Sequence, residues 1–78
     1  MDAKVYVDVT ARFASDGDLR PLAVQWEDGR VYQVDRVLDV RPAASLKAGG
    51  AGIRYRVLIG SCETFLFLEE NRWFVERR

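Results

Sequence analysis

Apolar and polar residues alternate along most of the 78-residue chain, with a period of two instead of the roughly 3.6 of a helix. The clearest run covers residues 5–13, where Val5, Val7 and Val9 are separated by polar or amphipathic neighbours. Such alternation is typical of a β-strand with one buried face. Similar segments follow at residues 22–27, 31–40, 53–59, 64–68 and 73–76. The pattern therefore predicts six strands.

The turns between these segments indicate antiparallel pairing. Asp28-Gly29 is the strongest hairpin signal, because a type I′ turn needs positive φ at both central residues and Asp-Gly accepts it. From Val37 to Val40, apolar residues occupy both odd and even positions, which indicates a bend or bulge near Asp35 and Arg36. Residues 64–68 are apolar on both faces, which predicts a strand that is central in a sheet or otherwise enclosed.

One longer connection, at about residues 42–52, consists almost entirely of small residues and leaves room for a helical turn over 43–48. All other connections have two to five residues, too few for a parallel crossover. We therefore predict an all-β fold, a six-stranded antiparallel meander curled into a small barrel or strongly bent sheet. The whole chain, residues 1–78, forms a single domain in this interpretation.

Composition excludes several classes of protein and of site. The 12 basic residues balance the 12 acidic ones, and there is neither a histidine nor a long apolar run. A lone cysteine, Cys62, forms no internal disulfide and completes no metal-ligand set, so no cofactor and no metal are predicted. The default expectation is a cytoplasmic protein that is neither secreted nor embedded in a membrane.

The sequence gives little support for catalysis. Without histidine, the candidates for acid and base chemistry are Asp8, Asp35 and Asp39, and each occupies a polar strand position where a solvated carboxylate is the simpler interpretation. Cys62 has no base to activate it. We expect a protein that is not an enzyme.

The distribution of charged residues along the chain indicates a candidate binding surface. Between Val40 and Cys62 the chain carries four basic residues and no acid. These candidate binding residues are Arg41, Lys47, Arg54 and Arg56. Arginines spaced by two share one face of a strand and suit bidentate contacts with phosphates or carboxylates. The prediction is a binding or adaptor module whose partner is nucleic acid or an acidic protein; the alternative is cross-strand pairing of these arginines with acids such as Asp35, Asp39, Glu69 or Glu70.

The aromatic residues support two further hypotheses. Trp26, Trp73, Phe65 and Phe13 are predicted to lie in the core. Tyr6, Phe67 and Phe74 are predicted to lie on the other face, where an exposed aromatic patch would make the protein an interaction module or a homo-oligomer. A third hypothesis is a small-ligand site with the glycine-rich loop as its lid.

The chain also resembles a family of short, stand-alone bacterial proteins without an assigned function. The resemblance covers about residues 6–76 and rests on the pattern W-x-x-G-R-x-Y-x-V-x-x-V-L from Trp26 to Leu38, on residues 41–55, and on the ending R-W-F-V-E at residues 72–76. It implies a bacterial, cytosolic β-domain and supplies no activity, ligand or catalytic residue.

Overall fold

The computed structural model describes residues 3–42 and 52–77, which form eight β-strands and no helix. The strands are β1 (Ala3–Tyr6), β2 (Asp8–Phe13), β3 (Leu19–Gln25), β4 (Val31–Gln33), β5 (Arg36–Pro42), β6 (Gly52–Ile59), β7 (Cys62–Glu69) and β8 (Arg72–Arg77). Every strand pair is antiparallel.

The strands form two sheets that share one core. The five-stranded sheet has the order β1-β8-β7-β6-β5, and the three-stranded sheet has the order β2-β3-β4. Val7 and Val24 pack against Tyr55, Val57 and Leu66 of the larger sheet, with Val57 and Leu66 fully buried. Burying side chains of this size contributes about 1.5–3 kcal/mol each, which makes this cluster the main source of stability.

The chain passes from one sheet to the other at two corners. At the first, the Val7 N–H donates to the Trp73 carbonyl of the larger sheet, and the next residue already pairs with Gln25 in the smaller sheet. At the second, Val34 donates to Leu22 and Asp35 donates to Leu58. Each corner therefore divides a long extended segment into two strands.

These corners explain where the sequence prediction departs from the structure. An all-β antiparallel fold is confirmed, and so is the central position of the strand at residues 64–68, which lies within β7. Six strands in a closed barrel are not found among the described residues: the predicted first and third strands are each split, which gives eight strands in two sheets. The predicted bend near Asp35 coincides with the second corner, and a bulge follows between Val37 and Asp39. The possible helical turn at 43–48 lies outside the described residues.

The hairpin at Asp28-Gly29 is present, but its geometry differs from the prediction. Gly29 has a φ of 87°, whereas Asp28 is not among the residues with positive φ. The Gly29 N–H donates to the Trp26 carbonyl, and the Asp28 carboxylate accepts from the Arg30 N–H at 2.9 Å. This is a three-residue loop with glycine at its left-handed position, and the side-chain hydrogen bond holds Asp28 in it.

Candidate functional site

The candidate site lies on the outer face of the five-stranded sheet, the face turned away from the core. Tyr55, Val57 and Leu66 point into the core, so their neighbours along β6 and β7 point outward. Arg54 and Arg56 are therefore outward-facing, as the sequence predicted, and Phe65 and Phe67 lie beside them on the next strand.

Five outward-facing residues form a line across this sheet, one from each strand. In register order these are Arg41 of β5, Arg54 of β6, Phe67 of β7, Phe74 of β8 and Tyr6 of β1. We call this set the arginine–aromatic row. Four strand spacings of about 4.8 Å give it a length of about 19 Å. The row joins the two surfaces that the sequence predicted separately, the basic candidates and the aromatic candidates.

Arg54 is the second residue of the row, and its guanidinium group lies over an aromatic ring. Its guanidinium carbon is 5.0 Å from the centroid of Phe65, a ring that is 41% exposed. No ion pair involves Arg54 among residues 3–42 and 52–77. Stacking restricts the side chain while its N–H donors remain unused by any acid in that part of the chain.

The other two arginines are paired with acids. Arg41 Nε lies 2.6 Å from Asp39 Oδ2, and Arg56 Nη1 lies 2.6 Å from Glu63 Oε1. The hydrogen bond from Arg41 lowers the pKa of the Asp39 carboxyl from its ordinary value. Internal pairing therefore holds for two of the four basic candidates, with Asp39 as one expected partner and Glu63 as one that was not expected. Exposed pairs of this kind contribute only about 0–1 kcal/mol, so a phosphate can replace the carboxylate.

The aromatic half of the row is less exposed than the sequence suggested. Phe74 is only 2% exposed, because the Phe67 ring stacks on it at 5.1 Å and the Tyr6 ring meets it edge-on at 5.8 Å. Lys4 Nζ lies 4.7 Å from the same ring centroid. The structure places the rings of Tyr6 and Phe67 against Phe74 on this face, and Phe74 itself is not exposed. Tyr6 is the most exposed of the three residues, at 46%.

A second arginine–ring contact lies at the Tyr6 end of the row. The guanidinium carbon of Arg72 is 3.7 Å from the Tyr6 ring centroid. Tyr6 on the edge strand β1 and Phe65 on the central strand β7 are thus both exposed rings that carry an arginine on the same face. Arg72 was not among the residues predicted from the sequence, and Phe65 was predicted to lie in the core.

The three other core assignments have different outcomes. Trp26 and Trp73 pack against the core cluster as predicted. Phe13 is 76% exposed at the end of β2, where it borders an open cavity between the sheets. Lys47, the fourth basic candidate, lies outside the described residues.

The carboxylate and thiol candidates do not form a reactive constellation. Asp35 Oδ2 accepts the Gly60 N–H at 2.6 Å, a structural role at the second corner. Asp39 is held by Arg41, and Asp8 is an exposed residue of the other sheet. Cys62 is exposed, and residues 3–42 and 52–77 contain no group of three or more potential metal ligands. No helix in the same residues has the length and apolar character needed to cross a membrane.

Comparison with known proteins gives no relative on which to base a function: no family model, no curated protein and no solved structure matches the chain.

Proposed function

We propose that this chain is a non-enzymatic binding module that contacts single-stranded nucleic acid through the outer face of its five-stranded sheet. The observation that supports this proposal is the arginine–aromatic row, in which every strand of the sheet contributes one residue. Arginines occupy one end of the row and aromatic rings the other. Proteins that bind single strands combine these two elements, cations for the phosphates and flat groups on which bases stack.

The arginine–ring contacts favour this function over a purely electrostatic surface. Arg54 on Phe65 and Arg72 on Tyr6 present guanidinium planes that are already oriented by the ring beneath them. A base can stack on an exposed ring or on a guanidinium plane, and the guanidinium edge remains available for phosphate. Less conformational entropy is lost on binding when a long side chain is already restricted.

A single strand fits this face better than a duplex. The outer face consists of strands and offers no helix that could enter a major groove, and the bases of a duplex are stacked on one another and inaccessible to Tyr6 and Phe65. An acidic protein would use the arginines but not the rings, so the rings distinguish the two partners predicted from the sequence.

The test is fluorescence anisotropy with a labelled oligothymidine of about ten nucleotides, within the site sizes of small β domains. We expect binding that weakens steeply with salt, because each phosphate contact on a single strand contributes about −0.7 to the slope of log K against log salt concentration. Arg54→Ala should weaken binding about tenfold and reduce that slope by about 0.7. Arg12→Ala, an exposed arginine of the three-stranded sheet, is the matched control and should leave binding unchanged.

A second variant separates stacking from charge. Phe65→Leu should weaken binding of oligothymidine by about tenfold with little change in the salt slope. Polyglutamate, which has charge but no bases, should bind more weakly than oligothymidine. Equal binding of polyglutamate would favour an acidic protein partner, and absence of binding at low salt would contradict the proposal.

A further inference from the structure

A second surface, independent of the outer face, lies between the two sheets beside β4. Here the sheets diverge and leave an open cavity of about 790 Å³, within the usual range for small-molecule sites. Its floor contains Val24 and Leu66, which are 4% and 0% exposed. Val31 and Tyr32 at its rim are 57% and 40% exposed. A buried apolar floor with a partly open aromatic rim is the arrangement found in ligand sites.

Two aromatic side chains share one wall of this cavity. Val24 of β3 is the register partner of Tyr32 on β4, and the Trp26 N–H donates to the Arg30 carbonyl two residues further along the same hairpin. Trp26 and Tyr32 are therefore diagonal neighbours on the inward face of the hairpin, a separation that large rings can bridge. Both residues line the cavity.

The charged residues around this cavity are all of one sign. Among the described residues that line it, the charged ones are both acidic: Asp35, whose carboxylate accepts the Gly60 N–H, and Glu76, whose position on β8 has the outward parity of Phe74. The neighbouring cavity of about 750 Å³, on the β5 side, has both signs, with Arg20 and Arg36 as well as acids in its lining. Of these two cavities, the one beside β4 has aromatic walls and no basic residue in its described lining.

We propose that this cavity binds a small organic cation of the quaternary ammonium type. The aromatic faces of Trp26 and Tyr32 attract such a cation through their quadrupoles, the apolar floor accommodates its methyl groups, and no basic residue in the described lining opposes positive charge. This goes beyond the proposed nucleic-acid contact and uses none of its residues, so either proposal can fail without the other.

The test is titration of the ¹⁵N-labelled protein with choline, followed through amide signals and the Trp26 indole N–H. The matched ligand is the uncharged isostere of choline in which carbon replaces the quaternary nitrogen. We expect saturable shifts at Trp26, Tyr32 and Thr64, and binding of choline about tenfold tighter than that of the isostere. Equal affinities would overturn the cation assignment and indicate a neutral apolar site, and absence of shifts would overturn the site itself.

A variant tests whether the aromatic wall of the cavity determines the affinity for choline. Tyr32→Leu on the short edge strand β4 keeps apolar bulk and should weaken choline about fivefold while leaving the isostere little affected. Phe13→Leu, an exposed aromatic residue that does not line this cavity, is the control and should retain full choline affinity. Loss of choline binding in the control, or full retention in Tyr32→Leu, would contradict the role of the aromatic wall.

Discussion

Tyr55 shows how a single residue joins the two sheets. Its side chain is 2% exposed within the core, and its hydroxyl donates to the Leu19 carbonyl of the three-stranded sheet at 2.7 Å. A buried hydroxyl is tolerated only when it has a partner, and here the partner is the Leu19 carbonyl. The bond therefore satisfies two polar groups and connects the sheets at the side where the cavity bordered by Phe13 opens.

Tyr55→Phe should lower the free energy of unfolding by about 1 kcal/mol, because the Leu19 carbonyl loses its partner while the ring remains. Urea denaturation measures this difference. Tyr32→Phe is the matched control, since that hydroxyl belongs to a 40% exposed residue, and it should leave the midpoint unchanged. Equal midpoints for wild type and Tyr55→Phe would show that the hydroxyl contributes nothing.

The same phenol makes stability depend on alkaline pH. Burial, together with the nearby Asp18 carboxylate, raises the pKa of Tyr55 above its ordinary 10.0. The unfolded chain then releases this proton at lower pH than the folded protein, so the contribution to stability is complete below about pH 10 and is lost as pH rises toward the folded-state pKa. Between about pH 9 and 11, wild type should lose more stability than Tyr55→Phe in urea titrations; parallel losses would contradict this.

The alternation of apolar and polar residues identified individual outward-facing residues only in strands where that alternation is regular. Arg54 and Arg56 alternate with Ile53, Tyr55 and Val57, and their outward direction was predicted correctly. Residues 64–68 have apolar side chains on both faces of the strand, so alternation does not show which face Phe65 occupies. The structure places Phe65 on the outer face of the sheet. The pairing with the neighbouring strand does indicate its direction, because Phe65 is the register partner of Arg56 and Arg56 faces outward.

At the scale of elements, the hairpins differ in how well residue type matches backbone geometry. Glu70 and Asn71 connect β7 to β8 with φ values of 52° and 63°, the two positive angles of a type I′ turn. Asparagine accepts this conformation readily, but for glutamate the left-handed region is costly. The turn type expected at Asp28-Gly29 is thus found at Glu70-Asn71, where the sequence predicted a turn but not its type.

Glu70→Asn should raise the free energy of unfolding by about 0.5–1 kcal/mol, because it relieves the left-handed strain at the first turn position. Thermal or urea unfolding measures the gain. Glu70→Gln, which removes the charge but keeps the backbone preference, is the control and should give no gain. Equal stabilisation by both substitutions would assign the effect to charge instead of backbone conformation.

At the scale of the whole molecule, strand number depends on where the chain changes sheets. Alternation predicted the extended segments and their antiparallel order, since each follows from local pattern and loop length. The corners at Val7 and Val34 depend on partners far away in sequence, Trp73 and Leu22, and nothing local at Val7 distinguishes it from Val5. The arginine–aromatic row likewise depends on the pairing of β1 with β8, which joins opposite ends of the chain.

This architecture separates two surfaces. The outer face of the five-stranded sheet has the arginine–ring contacts, and the aromatic cavity beside β4 lies between the sheets. Residues of the row contribute to the first, and the β3–β4 hairpin contributes to the second. Ligands of opposite charge are therefore expected on opposite sides of the five-stranded sheet.

The most direct test of the central claim is an NMR titration of the labelled protein with oligothymidine at low and at physiological salt. We expect shifts concentrated at Tyr6, Arg54, Phe65 and Phe67 that shrink as salt rises, with residues beside the β4 cavity unaffected. Absence of shifts at low salt, or shifts confined to the three-stranded sheet, would contradict a nucleic-acid surface on the outer face.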